Sequence, residues 1–261
     1  QRQNIQAGLP TLDTTTDVPT LGGAYNSWST QGIFGRVNYD YDGRYLFEAN
    51  IRYDGSSRFL QNRRWQWFPS FSAGWNIARE AFFSELAQKV NTLKLRASWG
   101  MLGNQNTDSW YPFYPTISTS MNAGGWLVDE QKPNISSAPS LVSSSLTWEK
   151  SRTWEVGLDF GFLNNRLTGS FGYFQRKTYD MVGPAPELPA ILGTAVPKVN
   201  NLDMTSKGWD LQISWRDKVS DFNYGVTLNL SDNVVVIDKY PNDSKSLGST
   251  YYKGAHLGDI W

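Results

Sequence analysis

Glu155 and Asp159 stand four positions apart in Thr153-Trp154-Glu155-Val156-Gly157-Leu158-Asp159-Phe160. On an extended strand that spacing puts both carboxylates on one face. A carboxylate pair across a shared space is the machinery of glycoside hydrolysis. Such a pair works when its surroundings push one pKa well above the other, and nothing in this segment does so. The reading favoured here is a hydrated polar wall, with no catalytic residue assigned. Asp54-Gly55-Ser56-Ser57-Arg58 offers a second polar constellation. It could hold a ligand or an ion, but it reads better as the start of a loop, with Arg58 pairing a carboxylate on the polar wall. A Ser-His-Asp triad would depend on the one histidine, His256, which lies in the loop-like Gly254-Ala255-His256-Leu257-Gly258. Cysteine is absent, so thiolate nucleophiles, disulfides and cysteine metal sites are excluded, and a histidine metal cluster cannot form. No metal and no cofactor is expected. Gly22-Gly23 and Gly124-Gly125 lack the strand-to-helix setting that a phosphate-binding loop needs. The sequon Asn134-Ile135-Ser136 is read as chance.

The remaining candidates are rings. Trp110, Tyr111, Phe113, Tyr114 and Trp126 fall within one long polar stretch. Aromatic faces stack on sugars and on other rings, and loops on a rigid scaffold often carry binding. Trp110, Tyr111, Tyr114 and Trp126 are therefore the candidate ligand-binding residues, against the plainer reading that they pack the loops together.

The elements that must position these groups follow from composition and period. The 261 residues carry 24 Lys+Arg and 24 Asp+Glu, a formal net charge of zero, so no electrostatic footprint points to nucleic acid. Aromatic residues make up 15% of the chain while hydrophobic residues reach only 39%. Many rings on a polar chain fit a sugar-binding surface, a β-sandwich core or the girdles of a membrane barrel. No stretch is apolar for the roughly 20 residues of a transmembrane helix, and no segment of the chain, which opens Gln1-Arg2-Gln3, reads as a signal peptide.

Strict alternation dominates instead. Val37, Tyr39 and Tyr41 oppose Arg36, Asn38 and Asp40, and Tyr45, Phe47, Ala49, Ile51 and Tyr53 oppose Arg44, Glu48, Asn50, Arg52 and Asp54. The pattern recurs over 70–77, 93–100, 153–160, 166–173, 209–216 and 224–231, giving eight expected strands. One short amphipathic helix is expected over Arg79–Ala87. Compact and long connections alternate. Asp42-Gly43, the helical link, Gly161–Asn165 and Asp217–Asp221 are compact, whereas 55–67, 101–147 and the proline-bearing 179–204 are long. In an up-and-down meander alternate links share an end, so the long loops gather on one side, as in outer-membrane barrels.

Period two alone also fits a soluble sheet that buries one face. Strand length near the 9–11 residues of a tilted spanning strand, and rings at strand ends such as Tyr53, Trp99, Trp154, Tyr173 and Trp215, favour the membrane wall. The fold class is therefore all-β, an antiparallel up-and-down meander forming part of a transmembrane β-barrel.

The chain resembles the SusC-like (RagA-like) TonB-dependent transporters of Bacteroidetes outer membranes. The resemblance rests on an ordered set of segments: Phe34-Gly35-Arg36-Val37-Asn38-Tyr39-Asp40-Tyr41, Arg52-Tyr53-Asp54-Gly55-Ser56-Ser57-Arg58-Phe59, Phe68-Pro69-Ser70-Phe71-Ser72-Ala73-Gly74-Trp75, Leu93-Lys94-Leu95-Arg96-Ala97-Ser98-Trp99-Gly100, Asn164-Asn165-Arg166-Leu167, Ser206-Lys207-Gly208-Trp209 and Gly258-Asp259-Ile260-Trp261. It implies that residues 1–261 are one partial barrel domain from a 22-stranded transporter with a plugged lumen, with the plug and remaining strands absent. It further implies an outer-membrane location and TonB-driven import of a large nutrient, an oligosaccharide or a peptide. The partners it implies are the lipid bilayer, a SusD-like surface lipoprotein, and the TonB complex acting through the missing plug. A passive porin-like barrel and a soluble carbohydrate-binding β-sandwich are the alternatives, and an enzyme is not expected.

Overall fold

A computed structural model describes residues 25–86, 88–107, 109–183, 197–242 and 251–258. Gly22-Gly23, Pro184, Pro186, Pro189, Ala87 and Asp259-Ile260-Trp261 lie outside the described residues. Each alternating segment is a strand: β1 (Thr30–Tyr41), β2 (Tyr45–Ser56), β3 (Trp65–Asn76), β4 (Val90–Asn104), β7 (Glu149–Phe162), β8 (Leu167–Gly183), β9 (Val199–Val219) and β10 (Phe222–Lys239). They form one eight-stranded antiparallel sheet in the order β1-β2-β3-β4-β7-β8-β9-β10. The two remaining strands, β5 (Thr119–Ser120) and β6 (Ile135–Ser136), make a two-residue ladder inside the longest loop.

The register aligns the alternation from strand to strand. Tyr39 faces Phe47, Phe47 faces Ala73, and Ala73 faces Ala97. Ala97 then faces Val156, Val156 faces Tyr173, and Tyr173 faces Trp209. Side chains at paired positions share a face, so one surface of the sheet is apolar along its whole width. Among the described residues nothing covers it: Val37 is 64% exposed and Val226 is 68% exposed. A sandwich would lay a second sheet on that face, and among the described residues there is none. Rings mark both margins of the band. Tyr41, Tyr45, Trp75 and Trp215 lie towards the compact links, and Tyr53, Trp67, Trp99, Trp154, Tyr173 and Trp209 towards the long loops. Tyr45 to Tyr53, or Trp67 to Trp75, covers about nine residues, the span of a tilted membrane-crossing strand.

The links sort by end, as the alternation of lengths requires. Between β1 and β2, Asp42 and Gly43 both have positive φ (55° and 61°), and Arg44 N–H donates to Tyr41 O at 2.9 Å. Two left-handed central residues are what a type I′ hairpin turn needs. Gly43 is also packed under Arg79, so an added Cβ would lie 2.0 Å from its Nη1.

The expected helix over Arg79–Ala87 does not form. Two 3-10 turns, Ile77–Arg79 and Ala81–Phe83, flank Glu80, whose backbone is extended (φ −78°, ψ 145°). That conformation turns the Glu80 carboxylate back onto the sheet, where Trp75 Nε1 donates to it at 2.9 Å and Arg44 Nη1 lies 3.8 Å away. Phe83 is buried beside it. Tertiary contacts thus override a segment whose local preference is helical.

The buried side chains otherwise gather at the long-loop end. The β3–β4 ladder stops at Ser70 opposite Gly100, while β4–β7 continues to Asn104 opposite Glu149. The resulting gap is filled by Phe59, Phe68, Leu146 and Trp148. Gly103 admits the Phe68 ring, whose Cζ lies 2.0 Å from where a Cβ would stand. A second cluster, Leu202, Ile237, Tyr240 and Ala255, packs the segment after β10 against β9 and β10.

Candidate functional site

Two surfaces remain after the apolar face is accounted for: the polar face of the sheet and the crown of long loops. On the polar face, cross-strand pairing sets charges of opposite sign beside one another. Arg36 on β1 meets Glu48 on β2 at 2.6 Å, and the same carboxylate accepts from Asn50 Nδ2 at 2.7 Å. Arg52 and Asp54 pair along β2 at 3.1 Å. Arg96 on β4 reaches both carboxylates singled out on β7, with Nη1 2.8 Å from Glu155 and Nε 3.1 Å from Asp159. Glu155 and Asp159 therefore share one guanidinium, whose single charge offsets only one of the two carboxylates, and they lack the contrasting environments an acid–base pair needs. Among the described residues no cluster of three metal-ligating side chains exists. This face also holds a groove of about 520 Å³ bordered by Asp40, Glu48, Lys94, Arg96 and Glu155.

In the loop crown, three of the four candidate rings are brought together. Trp110 stacks on Trp28, with ring centres 5.8 Å apart and planes at 25°. The Tyr111 hydroxyl donates to Ser27 O at 2.7 Å and accepts from Ser27 N–H at 3.1 Å. Hydrogen bonding from the Ser27 side chain and backbone holds this phenol below the usual tyrosine range. Tyr114 lies against Phe113 at 4.7 Å and Tyr111 at 6.3 Å, and it remains 62% exposed. Trp126, also 62% exposed, sits apart, next to the turn where Gly124 N–H donates to Pro133 O. The Asn134 side chain is used inside this loop, accepting from Asn122 N–H at 3.0 Å. His256 is exposed and bridges to Val236.

Arg58 departs from expectation. Its guanidinium carbon lies 4.6 Å from the Trp28 ring and 4.4 Å from the Trp110 ring. Nη1 points to Gln105 O and Asn106 Oδ1 at 3.5 Å, and no carboxylate pairs with it among the described residues. The side chain is 8% exposed. Two indoles thus take the place of the expected carboxylate, an arrangement open to arginine because its planar, weakly hydrated cation stacks on aromatic faces. Sequence reading did not single out Trp28, Phe59, Phe68 or Trp148. The one signal is that Trp67-Phe68 sets two bulky residues side by side, where strict alternation lapses.

A single sheet with an uncovered apolar band, two aromatic margins, a charged opposite face and loops sorted to one end is barrel wall. The family profile described as TonB dependent receptor-like, beta-barrel matches residues 2–260. The chain belongs to this family. TonB-dependent receptor SusC of Bacteroides thetaiotaomicron is 34% identical over 202 residues, covering 77% of this chain and 20% of the relative. TonB-dependent receptor P3 of Formosa agariphila is 31% identical over 241 residues, covering 92% of this chain and 23% of the relative. Among solved structures, the RagAB peptide transporter superposes with a TM-score of 0.75 at 25% identity, covering 90% of this chain and 25% of that one. The RagAB peptide importer in its open-open state gives 0.77 at 25% identity, covering 93% and 26%. The chain thus spans about a fifth to a quarter of the length of the proteins it matches. As in other TonB-dependent receptor barrels, its apolar face is the lipid side and its polar face lines the lumen.

Proposed function

We propose that this chain is a stretch of wall from an outer-membrane importer that moves a large nutrient, an oligosaccharide or a peptide, with TonB as its energy source. The observation carrying this reading is the two-faced eight-stranded meander with all its long loops at one end. Such a wall separates lipid from a polar passage and places the loop crown at its outer mouth. The similarity to a SusC receptor and to the RagAB peptide transporter supports a partner lipoprotein of SusD type closing over that mouth. Tyr114 and Trp126 are the candidate rings best exposed for substrate or partner, while Trp110 and Tyr111 help to fix the loop that carries them.

The test uses the full-length parent transporter in its own outer membrane. Uptake of labelled oligosaccharide and peptide pools is compared with and without a working TonB complex, and with and without the neighbouring surface lipoprotein. Uptake that collapses when either is removed supports the reading. Uptake that continues unchanged without TonB means a passive porin-like barrel instead.

A further inference from the structure

Above the loop-side ring of tryptophans and tyrosines the lipid face does not simply end. It continues onto β7, β8 and β9 as a row of cations. Counting up from the girdle, Arg152 stands two residues beyond Trp154, Lys177 four beyond Tyr173, and Lys207 two beyond Trp209. At about 3.3 Å per residue along strands tilted by roughly 40°, this is about 5–10 Å above the girdle. A headgroup layer occupies roughly that depth outside the hydrocarbon.

The row is strained as it stands. Arg152 and Lys177 are directly opposite in the β7–β8 register, and like charges in that position repel. Among the described residues Arg152 meets rings and a hydroxyl but no carboxylate: Trp99 at 5.9 Å, Tyr179 at 5.5 Å and Tyr179 Oη at 3.5 Å. Lys177 has one distant carboxylate, Asp238, at 3.9 Å. Lys207 has no ion pair among the described residues. Lys177 and Lys207 border a groove of about 340 Å³ that Val234, Val236, Gln175, Thr205 and the Asp238 carboxylate also line, so two cations and one anion stand beside apolar groups. On β1–β4 the corresponding positions are Gln31, Gly55, Trp65 and Met101, none of them charged. The cations are therefore a local feature of β7–β9 and not a belt around the wall.

We infer that Arg152, Lys177 and Lys207 bind the phosphate of an outer-leaflet glycolipid headgroup at the membrane-facing side of the transporter, with Val234 and Val236 beside the two lysines at the same level of the wall. The inference rests on the membrane-wall reading above but not on the identity of the imported nutrient. Each cation near an anionic headgroup layer contributes about fivefold to partition, so the three together contribute on the order of a hundredfold.

The experiment uses the full-length transporter purified in nanodiscs of zwitterionic phospholipid doped with lipid A or its dephosphorylated form, with retained lipid counted by native mass spectrometry. The expected result is selective retention of lipid A, which 10 mM inorganic phosphate does not displace, and its loss in the Arg152→Gln/Lys177→Gln/Lys207→Gln variant. Lys207→Gln alone, with every other contact intact, is expected to lower retention about fivefold, which covers the case in which the triple variant does not fold. Equal retention of both lipids by the wild type, displacement by free phosphate, or unchanged retention in Lys207→Gln overturns the inference. A barrel that inserts and imports normally without lipid selectivity would sink this inference alone. Failure to insert would sink the membrane reading with it.

Discussion

Arg58 and Trp110 are joined across two loops, with the guanidinium carbon 4.4 Å from the indole ring centre. Trp28 completes the contact, so the segment before β1, the β2–β3 loop and the β4–β7 loop are tied at one point. A cation–ring contact in a largely desolvated setting is worth about 1–2 kcal/mol. Trp110→Ala should therefore raise the rate at which protease cuts the 105–148 loop of the intact receptor by about tenfold, with the melting temperature of the barrel nearly unchanged. Arg58→Lys should behave similarly, because an ammonium does not stack as a guanidinium does. If both variants are cut at the wild-type rate, the contact does not hold the crown together.

Arg96 makes a different prediction. Its removal leaves Glu155 and Asp159 on one strand face without their shared cation. The three side chains are about one-third exposed to water, so screening keeps the loss to about 1–2 kcal/mol. Arg96→Gln should lower the temperature at which the receptor loses its heat-modifiable electrophoretic form, and adding Glu155→Gln and Asp159→Asn should restore most of it. The carboxylate double variant should still import. Loss of transport with an intact, stable barrel would mean these groups do more than line the lumen.

Much of this architecture is legible in the sequence because a wall between lipid and water must alternate. The eight strands are found wherever that demand applies. Their upper ends are not, and β9 shows why. It begins at Val199, but Asn200, Asn201, Asp203, Ser206 and Lys207 are polar on both faces, since above the girdle neither face meets hydrocarbon. The expected helix failed at Glu80, where a carboxylate satisfied by the sheet decides the backbone. Arg58 was misread for a related reason: its ring partners Trp28 and Trp110 lie far off along the chain on either side, and a lone arginine does not announce whether a carboxylate or an indole will meet it. Of the candidate rings, the spacing of the strands could suggest that Trp110 and Tyr111 sit in one long loop but not that Trp28 and Ser27 would engage them.

Glu80 gives a pH dependence. Hydrogen bonds from Tyr45 and then Trp75, aided by the charge of Arg44, hold its carboxyl below the usual glutamate range. A carboxyl whose folded pKa is depressed contributes stability that is present above its unfolded value, near 4.3. That contribution fades as pH falls from there through the folded value. The wild-type barrel should therefore lose thermal stability on acidification below about pH 4.3 more steeply than Glu80→Gln, which has no proton to take up there. At pH 7 the variant should be the less stable of the two. Parallel melting curves for the two proteins across this range would count against the assignment.

The two-faced wall itself is tested by neighbours on one strand. Leu211 lies on the lipid face between Phe171 on β8 and Leu230 on β10, while Gln212, the next residue, lines the lumen between Ser170 and Asn229. An arginine on the lipid face near the middle of the hydrocarbon costs about 2–4 kcal/mol, and one in a polar lumen costs little. Leu211→Arg should thus reduce folded receptor in outer-membrane fractions by well over tenfold, whereas Gln212→Arg should assemble at close to the wild-type level and alter only what passes through. The pair has the same added charge, the same strand and almost the same height, so general effects of arginine on expression cancel. Equal tolerance of both substitutions would be incompatible with a sheet that has lipid on one side and water on the other. Greater sensitivity at Gln212 would mean that the face assignment is reversed.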